Sequence, residues 1–169
     1  SPSRGLGDVY KRQLADLEKH EATGCDFVET VAAPLPIAVI AYLLGVPAED
    51  WRKLYTWTNE SVGASDAEFR REGESPNETR ERANIELFTY FAGLREQRLA
   101  EPEEDLISLL ASAEVDGEPL PLVDILAFYQ ILVAAGNETT RNATSGGLLA
   151  FIEHPDEMRK VQADPSLIK

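Results

Sequence analysis

The stretch PLVDILAFYQILVAAGNETTRNATSGGLLAFIE, residues 121–153, decides the fold. It carries no proline after Pro121 and predicts a single helix over about 121–153. At 1.5 Å per residue that helix is about 50 Å long, enough to cross a modest domain from side to side. Its first half is apolar on nearly every side, with Ile125, Leu126, Phe128, Ile131, Leu132 and Val133. Helices of that kind are expected to be buried on several sides. His154-Pro155 stops it, and a short helix follows over Asp156 to Ala163.

The middle of this helix, Ala135-Gly136-Asn137-Glu138-Thr139-Thr140, breaks several local rules at once. A glycine inside a helix costs about 1 kcal/mol relative to alanine. Adjacent β-branched threonines disfavour helix. A carboxylate in a dry setting must be paired or neutralised. Rule-breaking of this kind concentrates at functional or strained sites. Gly136 leaves room for a flat group against the backbone. Thr139 can donate to the Ala135 carbonyl and bend the helix. Glu138 can exchange protons, and the neighbouring hydroxyl can pass them on. The other reading of this pair is a polar kink in a helical bundle.

Outward from the centre, the remaining segments also predict helix. Pro34 and Pro36 suit a first turn, and the apolar run Leu35 to Leu44 ends at Gly45 and Pro47. Ala48-Glu49-Asp50 opens a helix to about Val62. Residues 63–77 read as a mobile loop. Glu78 to about Leu99 is amphipathic, with Leu87, Tyr90, Phe91 and Leu94 on one stripe. Glu103 to Glu114 places Leu106, Leu109, Leu110 and Ala113 inward, and Asp116-Gly117 is a turn signal. The fold class is therefore all-α. Residues 1–12 lack any period and are set aside as a non-native or disordered terminus, leaving 13–169 as one partial domain.

The net charge of −14, from 30 acidic and 16 basic side chains, argues against binding nucleic acid. The longest apolar runs, Pro34 to Val46 and Ile125 to Ala135, fall short of the roughly 20 residues of a membrane span. No signal peptide is visible, and a cytoplasmic location is expected. The one cysteine, Cys25, forms no intrachain disulfide and is expected to be a buried or half-buried structural residue. No cluster has zinc-ligand spacing, so no metal ligand is assigned. His20 reads as a surface residue and His154 as a capping or packing one. Trp51 and Trp57 read as packing residues, Trp57 with a possible second role at a substrate channel.

The central motif resembles the Ala/Gly-Gly-x-Asp/Glu-Thr-Thr/Ser signature of the cytochromes P450, and the surroundings resemble that family too. The segments concerned are Pro34-Leu-Pro-Ile to Leu44-Gly45-Val46-Pro47, Asp105-Leu-Ile-Ser-Leu-Leu with Asp116-Gly117, and Glu153-His154-Pro155. The resemblance implies the central part of that fold, dominated by one long buried helix. It implies a haem monooxygenase that inserts one oxygen atom from O2 into a small apolar substrate, of steroid, terpenoid or branched-lipid type. Glu138 and Thr139 are then the catalytic proton relay, Ala135, Gly136 and Thr140 contact the haem, and Ile131 and Ala134 line the substrate pocket. Residues from roughly Glu49 to Leu99 resemble the lid, and electrons are expected from a ferredoxin-type donor. The family's iron-ligating cysteine loop has no counterpart in these residues, which implies a fragment inactive alone. A different class of function, a non-catalytic helical binding or scaffold domain, would show no dependence on haem.

Overall fold

A computed structural model describes residues 17–168, together with Gly7, Lys11, Leu14 and Ala15. Apart from Gly7 and Lys11, the expectations for residues 1–12 fall outside the described positions. A π-helical turn, Val28–Ala32, leads into α1, Pro34–Leu44, with Pro34 in its first turn. Gly45 ends α1 in the left-handed region at φ 80°, and the Val46 amide donates to the Ala41 carbonyl at 2.8 Å. Helix α2 is Trp51–Gly63 and α3 is Pro76–Ala100. A capping box starts α3: the Glu78 amide donates to Ser75 Oγ and the Ser75 amide to Glu78 Oε2. Helix α4, Leu106–Ala111, is followed by the hairpin β1, Glu114–Val115, and β2, Glu118–Pro119. Asp116 and Gly117 turn the hairpin at φ 55° and 82°. Helices α5, Leu122–Glu153, and α6, Pro155–Ala163, complete the order with a last 3-10 turn. The all-α reading holds, with this small hairpin added. No described helix is long and apolar enough to cross a membrane.

The core lies where α1, α2 and α3 pack against one side of α5. Leu44, Leu54, Leu87, Phe91, Ile107, Ile125, Tyr129 and Val133 are fully buried there. The ring of Phe91 stacks at a tilt on Tyr129, centroids 5.1 Å apart. The Tyr129 hydroxyl donates to the Ile107 carbonyl at 3.2 Å, and burial pushes its pKa up to about 12. Along α5 the buried residues Ile125, Tyr129, Val133, Asn137 and Arg141 recur every fourth position. The other side is open: Phe128 is 48% and Ile131 62% exposed. Among the described residues the expected burial is seen on one face, which α1, α2 and α3 cover.

Two expectations are corrected. In α4, Leu106 and Leu110 pack against the core as expected, but Ile107 and Ala111 are the buried residues and Leu109 is 65% exposed. The Asp105 carboxylate caps the start of this helix, accepting from the Ser108 amide at 2.7 Å. Residues 63–77 are not simply loose. Asp66 caps a 3-10 turn at Ala67–Phe69, and Arg71 bridges Glu60 on α2 at 2.6 Å and Glu86 on α3 at 2.8 Å. Trp57 packs rather than facing open space, donating to Glu86 Oε2 at 2.7 Å beside the Tyr90 ring.

Arg98, at the end of α3, joins three elements. Its Nε donates to Asp105 Oδ2 at 2.6 Å, its Nη2 donates to the Gly45 carbonyl at 3.0 Å, and its Nη1 lies 2.9 Å from Glu103 Oε1. The side chain of Asp105 occupies the space a Cβ on Gly45 would need, so glycine is required there for room as well as for φ. Burial pushes the Asp105 carboxyl up, but the Ser108 amide and the Arg98 guanidinium outweigh it and hold it below the usual carboxylate range.

Arg98→Met should destabilise the protein by about 3–5 kcal/mol in urea unfolding, because it strands a buried carboxylate. The Asp105 contribution has a depressed folded pKa, so it is complete above the unfolded value of about 4 and is lost as pH falls through the lower folded value. Asp105→Asn should therefore flatten the acid limb of the stability profile. At Gly136 an added Cβ would meet Ile40 of α1 at 3.4 Å. Gly136→Ala should stay within about 1 kcal/mol of the parent, its gain in helix propensity offsetting the added contact. Gly136→Leu should lose about 1–3 kcal/mol by forcing α1 away. Thermal unfolding of both variants measures the difference.

Candidate active site

A straight helix distributes consecutive residues about 100° apart, so the central motif of α5 serves several sides at once. Ile131, Ala135 and Thr139 lie one turn apart along the open side, and all three are exposed. Thr139 Oγ1 donates to the Ala135 carbonyl at 2.5 Å, as the sequence predicts. Thr144 and Ser145 repeat the pattern onto the carbonyls of Thr140 and Arg141. The helix stays unbroken from Leu122 to Glu153 through all three.

Gly136 and Thr140 lie on a different side, toward α1. With Thr144 they border an apolar hollow of about 410 Å³ whose far wall includes Val31, Leu35 and Ile40. Ile40 lies across from Gly136, at ordinary contact distance from where a Cβ would stand. Of the three residues expected to contact a cofactor, Ala135 is exposed on the open side, and Gly136 and Thr140 border the hollow beside α1.

Ala134 and Glu138 form a third, half-buried side. Glu138 is 29% exposed at its side chain, and its Oε1 lies 3.9 Å from Arg141 Nη2. Arg141 belongs to the buried stripe at 7% exposure. Its Nη1 donates to Asn59 Oδ1 on α2 at 2.7 Å, and its guanidinium carbon sits 6.0 Å from the centre of the Tyr55 ring. Tyr55 in turn donates to Glu29 at 3.0 Å. Asn137, fully buried one turn before Arg141, has no partner for either amide atom among the described residues. A second polar tie links α5 to the same helices: Gln130 Nε2 donates to Asn84 Oδ1 at 2.7 Å, which also accepts from Ser61 Oγ at 2.6 Å.

Asn59, Asn137 and Arg141 were not singled out as site residues by sequence reasoning. A readable signal existed: Asn137 and Arg141 continue the four-residue period of Ile125, Tyr129 and Val133 with polar groups. Cys25 corrects another expectation. It is exposed, in the turn after Gly24 at φ 70°, and packs into no core. His20 and His154 are exposed, and His154 stands between α5 and α6 without a side-chain cap bond.

No family model matches the chain. A steroid C26-monooxygenase of Mycobacterium tuberculosis is 40% identical over 147 residues, 87% of this chain and 33% of that protein. A linalool 8-monooxygenase of Pseudomonas putida is 37% identical over 174 residues, spanning the whole of this chain and 42% of its own length. Among solved structures, a Mycobacterium marinum cytochrome P450 in complex with pseudoionone superposes with a TM-score of 0.85 at 29% identity, over 98% of this chain and 40% of that one. The chain therefore spans between a third and about two fifths of the proteins it matches. A sequence likeness and a fold likeness that together span nearly the whole chain have one common source: the chain belongs to the cytochrome P450 family.

Proposed function

We propose that these residues form part of a haem monooxygenase that inserts one oxygen atom of O2 into a small apolar substrate, with Glu138 and Thr139 as its proton relay. One observation carries this reading: the Thr139 hydroxyl stands on the open face of α5 in line with Ala135 and Ile131, while Glu138 occupies the adjoining side. The open face fits a flat, largely apolar group. Ala135 is too small to hold it off the helix, and Ile131 gives it an apolar edge. When bound, the haem supplies the iron at which dioxygen is activated. Gly136 and Thr140 face α1 and are not counted among its contacts. Cys25, exposed in a turn on another element, is not assigned to the iron.

The residues of this chain then have separable tasks. Thr139 donates its own hydrogen to the Ala135 carbonyl, which leaves its oxygen lone pairs free to accept a proton or a water from the open side. Glu138, with 29% of its side chain exposed, can exchange protons with solvent and supplies them toward the Thr139 turn. Ile131 and Ala134 supply the apolar walls that orient a substrate over the same turn. The named activities of the two curated relatives, on a steroid and on linalool, support an apolar substrate. Electrons come from a ferredoxin-type donor in this reading.

The test is Thr139→Ala in the full-length haem protein, with an apolar probe substrate, drawn from steroids and linalool, that the parent turns over. Product formed per electron pair should fall by on the order of tenfold, since a positioned proton donor contributes at least that much. The missing electrons should appear as hydrogen peroxide. Unchanged coupling would remove the relay role.

A further inference from the structure

The buried guanidinium of Arg141 is only half paired. Buried charges are ordinarily neutralised by a close opposite charge or a full set of hydrogen bonds. Here the carboxylate of Glu138 lies at 3.9 Å, beyond hydrogen-bond reach. The shorter contact, 2.7 Å, goes to the neutral amide oxygen of Asn59. A third acceptor lies one turn away on the same stripe: Asn137 Oδ1 is buried and has no donor among the described residues. One cation thus stands between a carboxylate on α5 and an amide on α2, and neither partner holds it fully.

We propose that Arg141 is a positioning residue for Glu138, and that Asn59 passes the placement of α2 to Glu138 through it. This rests on the relay reading above. When α2 sits as in this structure, Nη1 is engaged by Asn59 and Nη2 faces Glu138, so the carboxylate is steadied beside the Thr139 turn. A shift of α2 takes Asn59 with it. The guanidinium then turns to the vacant Asn137 oxygen or follows α2, and Glu138 loses its partner. Glu29 faces the same assembly from the π-helical turn through Tyr55, so movement there reaches Arg141 by the same ring.

Asn59→Asp separates this role from mere packing. It keeps the shape of the side chain but offers Arg141 a carboxylate, which outcompetes the more distant Glu138. Two measurements are made on the full-length protein. The first is a double-mutant cycle of Asn59→Asp with Glu138→Gln, read on unfolding of the haem-free protein. Asn59 and Glu138 share Arg141, so the two changes should be non-additive by roughly 2- to 100-fold in the folding equilibrium. The second is product per electron pair, which should fall about 2- to 30-fold in N59D with peroxide rising to match. Additive unfolding effects would overturn the linkage. Non-additive unfolding with unchanged oxygen coupling, in a protein where Thr139→Ala does uncouple, would overturn the positioning role alone. If Thr139→Ala itself leaves coupling intact, the relay reading fails and the positioning role falls with it, while the cycle still reports whether Arg141 is shared.

Discussion

The structure depends on one face of α5. Its four-residue period of buried side chains is the surface onto which α1, α2 and α3 assemble. Where that face is apolar, from Ile125 to Val133, ordinary burial drives the packing, and aromatic contact between Tyr129 and Phe91 adds to it. Where the same face turns polar, at Asn137 and Arg141, packing continues but its character changes. Dispersion contacts tolerate small slips, whereas a buried guanidinium is sensitive to a few tenths of an ångström in its acceptors. The helix is therefore firmly seated at its N-terminal half and electrostatically poised in its middle, beside the residues that carry the chemistry.

Two buried arginines show how differently the fold uses charge. Arg98 meets Asp105 at 2.6 Å and the Gly45 carbonyl at 3.0 Å, and it locks the ends of α1 and α3 to the start of α4. Arg141 has a neutral amide for its short contact and a carboxylate only at 3.9 Å. Full pairing makes a rigid joint, and incomplete pairing leaves a group that can choose among partners. The first arrangement is far from the central motif and the second is within one turn of it.

Much of the fold was legible in the residues. Pro34, Gly45 and Pro47 mark the limits of α1, Glu78 lies within two residues of the start of α3, and Asp116-Gly117 marks the hairpin. These signals are local: each acts through φ preference or a capping bond between near neighbours, so no tertiary knowledge is needed to read them. In α4 the inward packing of Leu106 and Leu110 was legible, but the full burial of Ile107 and the exposure of Leu109 were not, because they depend on the helices packed around them. The exposure of Cys25 and the grip on Arg71 also depended on what lies across space.

Of the candidate site, the sequence by itself determined the cast: a helix of 32 residues carrying a glycine, an acid and a threonine within four positions, with the Thr139 bond to Ala135 built in. Helical periodicity alone then separates Ala135 from Gly136 and Thr139 from Glu138. Tertiary structure decided which side each residue serves. It turned Gly136 toward Ile40, left Thr139 in the open and brought Asn59, distant in the chain, onto Arg141. The physical reason is that a helix's period says which residues share a side, but only the neighbouring helices determine which side is covered.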